Sequence, residues 1–555
     1  MKWRANHSGV LLHAVVMLLL PLSCLGYYGQ PLHFPTSFGQ PLQCLAKQDG
    51  LQSPTAGLPT SRPFGIPAYQ RIRITTGADF DRLMPLLRAY IQEPSLAATV
   101  TEIILDLDCW DGTTFTPSTP DQLTKEGIEL FSPLFDSGYN AVENHIHNLE
   151  LGDELTRDTL YWVRWKIYEQ TGAWKGPVRL RDEYNSHFAE SAAVVLFSIC
   201  HNISTLHIGY IGPHERPVRE YFMKSNYGLL PKPGLQKLRD VVVISGTVCG
   251  DMDNNYVTVD LLEYMQYFHR LPAIESFAID GVQEWEPERT IFVPWTSNMK
   301  RIHIGHSAFY ARIFDTTLSI PKALEELEIS IGGLFFWHGD EVFSHPSRMG
   351  RALEAHKKTL RVLDLDIDCG FQFIKPEHWE KDDLINYPGY DWEWFNYSKN
   401  TYGEEYFQMD SDISSGPVQV LKPKNKRPGT TIGSLHDFYA LTHLRISIKA
   451  ILGYTDPWEP PYELYRPPPS HLIDMLPPSL EYLCIYNYIL GANPHFDFQI
   501  EEFMKHRAER LPKLKEVWGV DVTVLGASGT YSDWPDDVFW VRPVNRLDWR
   551  EVGLG

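Results

Sequence analysis

Hydrophobic residues recur along this chain in one short phrase. In "PKALEELEISIGG", residues 321–333, Leu324, Leu327, Ile329 and Ile331 stand with polar residues between them. "TLRVLDLDIDCG", residues 359–370, repeats the spacing with Leu360, Leu363, Leu365 and Ile367. The last three positions alternate with period two, which predicts a short strand with one apolar and one polar face. The residue three places earlier lies outside that alternation and is expected under the turn that enters the strand.

The phrase returns as Val100, Ile103, Leu105; Ile203, Leu206, Ile208; Ile274, Phe277, Ile279; and Met299, Ile302, Ile304. It continues as Leu441, Leu444, Ile446 and Leu480, Leu483, Ile485, with looser copies in "LQKLRDVVVI" (235–244) and "LPKLKEV" (511–517). The starts at 274, 299 and 324 are 25 residues apart, inside the roughly 20–29-residue period of leucine-rich repeats. Elsewhere the gaps are longer, which predicts insertions. One such unit cannot bury its apolar face alone, whereas stacked neighbours form one continuous core. The expected fold is therefore α/β: an irregular leucine-rich-repeat solenoid, a horseshoe with a mostly parallel sheet and long loop insertions.

Between copies the period changes to that of a helix. "DFDRLMPLLRAYIQEPSLAATVTEIILDLD" places Phe80, Leu83, Leu86, Leu87 and Tyr90 on one helical face, breaks at Pro94 and enters a strand near Val100. "LLEYMQYFHRLPA", "RMGRALEAHKKT" and "HLIDMLPPS" precede three further copies as helical or loop stretches.

The ends differ in character. Lys2 and Arg4 precede an apolar run closing at Cys24 and Gly26, the layout of a signal peptide and too short and Pro-interrupted for a stable membrane span. An apolar N-terminal segment that is retained is the alternative for 1–26. Residues 27–68 are rich in Pro, Gly, Ser and Gln and read as an arm. The repeat domain is expected over 69–523, with an insertion about 370–435, and 524–555 as a C-terminal cap or tail.

Composition narrows the function. The 555 residues are 43% hydrophobic and 22% charged, with formal charge −20. Nucleic acid is excluded as the main partner, because phosphate binding needs clustered Lys and Arg. The one compact basic run, "KPKNKRP" at 422–428, reads as a solvated loop, with a nuclear-localisation signal as the alternative. None of the seven cysteines forms a C-x-x-C pair, which favours a reduced compartment; the N-x-S tripeptides at Asn202 and Asn396 fit secretion instead. Localisation stays open between secreted, from the N-terminus, and cytoplasmic or nuclear.

Motifs for hydrolase, zinc-protease, P-loop and dinucleotide chemistry are absent. His145 and His147 in "ENHIHN" share a face if that stretch is extended, and "WHGDE" (337–341) gathers His338, Asp340 and Glu341 in a turn. Neither has metal-ligand spacing or a converging partner, so no catalytic residue, metal ligand or cofactor is assigned. Asp106 and Asp108, with Asp364, Asp366 and Asp368, point away from the apolar faces of their strands. In a horseshoe they lie on the concave surface, as one acidic strip for a partner's basic segment, as solvating charge, or as a cation site that would need additional oxygen ligands. The aromatic stretch 387–412 carries Tyr390, Trp392, Trp394 and Phe395 in the widest gap between copies. It serves either as a set of rigid anchors for a protein partner or as a lid on the core.

The phrases "RLMPLLRAYIQEPSLAATVTEIILDLD", "SLHDFYALTHLRIS" and "LPPSLEYLCI" resemble the leucine-rich-repeat portion of fungal F-box and F-box-like proteins, over roughly residues 70 to 520. That resemblance implies a non-catalytic protein–protein interaction role, as an F-box-like substrate receptor. The family's docking module, with its Leu-Pro-x-Glu opening, has no counterpart here. The competing classes are a secreted binding protein and a secreted hydrolase using two convergent carboxylates. The oligomeric state is not legible.

Overall fold

The structure, a computed structural model, describes residues 68–74, 77–105, 137–170, 172, 178–209, 211, 217–243, 259–284, 292–309, 311–332, 346–368, 431–453 and 471–527. The N-terminal segment and arm, "WHGDE", "KPKNKRP" and the aromatic insert lie outside these residues.

The repeated phrases form one parallel sheet. Its strands are β1 (Arg71–Ile74), β2 (Glu102–Leu105), β3 (Thr205–Ile208), β4 (Asp240–Val243), β5 (Ser276–Asp280), β7 (Arg301–Phe309), β8 (Glu326–Ile331), β9 (Val362–Asp366), β10 (His443–Ser447), β11 (Tyr482–Tyr486) and β12 (Glu516–Trp518). They lie side by side in chain order, and the short β6 (Gln283–Glu284) pairs with the far end of β7. The register matches the sequence phrase: Ile103 pairs Leu206, Val241 pairs Phe277, Ile302 pairs Leu327, Leu363 pairs Leu444 and Leu444 pairs Leu483. The molecule is α/β with an open parallel sheet. The looser copies at 235–244 and 511–517 supply β4 and β12.

The leading residue has the expected place. Val100, Ile203, Leu238, Ile274, Met299, Leu324, Leu360, Leu441 and Leu480 are all buried in the turn before a strand. One carbonyl in each turn also accepts two N–H groups from the next copy. Gln70 O accepts from Thr101 and Glu102, Arg239 O from Glu275 and Ser276, Glu325 O from Arg361 and Val362, and Thr442 O from Glu481 and Tyr482. This satisfies the backbone as the chain enters each strand and fixes the register in which neighbouring copies stack.

Helices cover the apolar face. α1 (Gly77–Gln92) buries Phe80, Leu83, Leu87 and Tyr90 as predicted, and Leu86 is partly buried. Pro94 does not simply break the chain; it starts a short second helix, α2 (Pro94–Ala97). Three long helices follow β2: α3 (Ser137–Asn148), α4 (Asp153–Gln170) and α5 (Val178–Ile199). α5 packs against α1 and α4, and then on α6 (Pro217–Asn226). α6 meets α7 (Leu261–Phe268), which meets α8 (Ala311–Ser319), which meets α9 (Pro346–Glu354). The series closes with α10 (Ile448–Leu452), α11 (Leu472–Met475) and α12 (Pro494–Arg510). Asn493 caps α12, its side-chain oxygen accepting from His495 N at 3.0 Å and Phe496 N at 3.3 Å. One core cluster runs from Ile72 to Leu511. No described helix is long and apolar enough to cross a membrane.

One expectation is corrected and one strand is new. "ENHIHN" is helical, within α3, so His145 and His147 do not share a face as they would in a strand. Val142, Ile146 and Leu149 bury the inner face of that helix. β1 was not anticipated, because "RIRI" is too short an alternation to stand out after a Pro-rich arm.

Candidate functional site

The second face of the sheet carries the polar positions of every copy. Along one row lie Arg71, Glu102, Thr205, Asp240, Ser276, Arg301, Glu326, Val362, His443, Tyr482 and Glu516, each beside the next in register. This face divides into two halves. From β1 to β7 its residues are half-buried or exposed; from β8 to β11 most are buried.

In the accessible half, opposite charges meet across strands. Arg71 Nε is 2.7 Å from Glu102, whose other oxygen lies 3.2 Å from His207 Nε2. Arg301 reaches Asp240 at 3.2 Å. Burial lowers the pKa of His207, and Glu102 works against that shift. β7 bulges after Ile304, where its register with β8 slips and His306 takes a φ of +43°. There His306 Nδ1 lies 2.6 Å from Asp280 Oδ1, and its backbone N donates to Ser330 Oγ at 3.0 Å. A Cβ on Gly305 would come within 2.3 Å of Asp280 Oδ1, so a larger residue there would displace the Asp280 carboxylate from this position.

His303 faces the carboxylates of β8. Its Nε2 is 2.7 Å from Glu326 Oε1 and 4.0 Å from Glu328 Oε1, and one ligand atom from each residue lies within 4.8 Å of the other two. His303 stands directly opposite Glu328 in register.

The buried half holds three of the residues singled out from the sequence. Asp364 and Asp366 are fully buried and Asp368 nearly so, so the expected solvent-facing strip does not exist at β9. Asp364 accepts from Tyr486 Oη at 3.1 and 3.3 Å and from Arg445 Nη1 at 3.4 Å. Asp366 accepts from Ser447 Oγ at 3.4 Å and from the backbone N of Ala527. Asp368 accepts from Asn487 Nδ2 at 3.1 Å. Burial would lower the pKa of Arg445, but Asp364 and the tyrosines Tyr486 and Tyr482 raise it. Burial raises Asp368, against Lys449, Asn487 and Ser447, and pushes the Cys484 thiol up to about 12. The cover includes residues 523–527: Val524 O accepts from Asn487 N, Gly526 N donates to Asn487 Oδ1, and Val524 packs on Tyr482, Cys484 and Tyr486. These carboxylates are internal partners of β10, β11 and the chain after β12.

Asp106, Asp108, Tyr390, Trp392, Trp394 and Phe395 lie outside the described residues. Sequence reasoning missed His303, Glu326 and Glu328. Aligning "MKRIHI" with "LEELEI" on their leading residues sets 301 beside 326 and 303 beside 328, and that alignment was the available signal. A groove of about 630 Å³ opens on the helical side, lined by His147, Glu150, Asp153, Arg157, Tyr161 and Arg164; of the residues singled out from the sequence its lining includes His147 of "ENHIHN".

The chain matches no family model, no curated protein and no solved structure.

Proposed function

We propose that the chain is a non-catalytic interaction protein. In this reading the sheet is a leucine-rich-repeat scaffold whose accessible polar face, from β1 to β7, takes a protein partner, with the segments that leave the strand ends beside it. One observation carries the reading. Segments 106–136, 244–258, 333–345 and 369–430 follow the C-terminal ends of β2, β4, β8 and β9, whereas the turn into each strand is compact and fixed by a shared carbonyl. In a repeat scaffold, long segments that follow the strand ends often serve recognition.

The face supplies alternating charge: Arg71, Asp240 and Arg301 among Glu102, His207 and Asp280. Such a pattern selects a partner of complementary alternation, and the net charge of −20 favours basic segments within it. The resemblance to F-box-like repeat proteins supports the same class, as a receptor without the docking module.

The test is quantitative affinity purification of the full chain, of Arg71→Glu/Arg301→Glu, and of the chain lacking 387–412. The reading expects a specific partner set that the charge-reversed face loses. Unchanged recovery with both variants would refute it. Retention by the face variant and loss by the deletion would assign binding to the insert. The compartment is read from the mature N-terminus by mass spectrometry: a start near Tyr27 places the protein outside the cell, and an uncleaved chain places it inside.

A further inference from the structure

We propose that His303, Glu326 and Glu328 hold a divalent transition-metal ion, Zn²⁺ being the ion that best suits the donors. This is independent of the interaction reading. An ion at about 2.0–2.2 Å from each of its ligands keeps those ligand atoms within roughly 3–4.4 Å of one another. Here two of the separations are 2.7 and 4.0 Å, and the whole set lies within 4.8 Å. The shortest separation must open and the longest close by a few tenths of an ångström for one ion to take all three.

The backbone holds the set in place. His303 and Glu328 are paired in register on adjacent parallel strands, and Glu326 precedes Glu328 by two residues, so all three point to the polar face. The three side chains are 17%, 10% and 10% exposed, low enough to limit competing water and open enough to admit an ion from that face. Arg301, beside Glu326 in register, reaches Asp240 at 3.2 Å. One imidazole nitrogen and two carboxylates form a donor set suited to a dication. The imidazole favours Zn²⁺ over the oxygen-preferring Mg²⁺ and Ca²⁺. Three protein ligands leave a fourth position toward the face for water or for a donor from a bound partner.

The experiment titrates the chelator-stripped full chain with Zn²⁺ and, separately, Mg²⁺ by isothermal calorimetry. Wild type is expected to take up Zn²⁺ at a site that His303→Gln, Glu326→Gln and Glu328→Gln each weaken at least about tenfold. Changing the exposed His436 to Gln leaves it unaltered. Far-UV circular dichroism separates loss of the site from loss of the fold. Should a variant misfold, the visible spectrum of Co²⁺ bound to wild type reports directly whether nitrogen and oxygen donors surround the ion. No stoichiometric Zn²⁺ uptake, or uptake equal in wild type and folded variants, overturns the proposal and leaves His303 and Glu326 as side chains in contact across two strands.

Discussion

At the scale of single residues, the buried half of the polar face sets the largest effects. Asp364 is fully buried and answers Arg445 and Tyr486, which come from 81 and 122 positions away. Removing one partner of such a pair leaves a charge in low dielectric and costs about 3–5 kcal/mol. Asp364→Asn is therefore expected to lower the urea midpoint sharply. The double variant Asp364→Asn/Arg445→Met should lose less than the sum of the two single changes. The sequence made the side of the strand legible for Asp364 and Asp366, because alternation alone decides that. Their burial was not legible, since the covering groups belong to other copies and to residues 523–527.

A second residue-scale prediction concerns pH. Glu284 is buried and accepts from Leu262 N at 3.0 Å, at the start of α7; burial raises its pKa to about 8, against that hydrogen bond. A carboxyl raised on folding binds its proton more tightly in the native state. Its contribution is therefore complete below the unfolded value and is lost as pH rises toward about 8. His269 works in the opposite sense. It is buried beside Asn226 with its pKa lowered to about 3 by burial, so its contribution is present above the ordinary imidazole value and is lost as pH falls. Melting temperatures measured from pH 5 to 8 should show Glu284→Gln flattening the decline on the alkaline side. An unchanged profile would contradict the assignment.

At the scale of elements, stability follows the leading residue of each copy. Leu324 is fully buried between the turn before β8 and the helices, so Leu324→Ala should cost about 2–5 kcal/mol. Leu514, its counterpart before the terminal β12, is only partly buried, and the same change there should cost less. Chemical denaturation of both variants checks the order. Gly350 in α9 gives a second test, because alanine normally favours a helix. A Cβ there would meet Ile432 O at 1.7 Å, a backbone atom of the facing segment. Gly350→Ala is expected to destabilise by about 1–3 kcal/mol rather than stabilise.

The strands were legible at this scale because apolar alternation with a fixed leading residue is a local signal. The helices over 137–199 were not. In α5, Ala189, Ala192, Val194, Val195 and Leu196 are all buried, so that stretch shows no polar stripe by which to find its period. "ENHIHN" failed for the opposite reason. A brief alternation resembled a strand while the longer spacing of Val142, Ile146 and Leu149 was helical.

At the scale of the molecule, the claim is that copies separated by long segments are nevertheless adjacent. β2 and β3 pair across residues 106–204, and β9 and β10 across 367–442. Such a scaffold stands by nearest-neighbour stacking. The decisive measurement is disulfide trapping with mass-spectrometric identification of the linked peptides. Glu102→Cys/Thr205→Cys and Val362→Cys/His443→Cys are in register on neighbouring strands, about 4.8 Å apart and within bridging range. Arg71→Cys/Thr205→Cys spans two strand spacings, beyond that range. The account predicts that the first two pairs bridge and the third does not. Bridging by the third, or failure of both in-register pairs in folded protein, would contradict it.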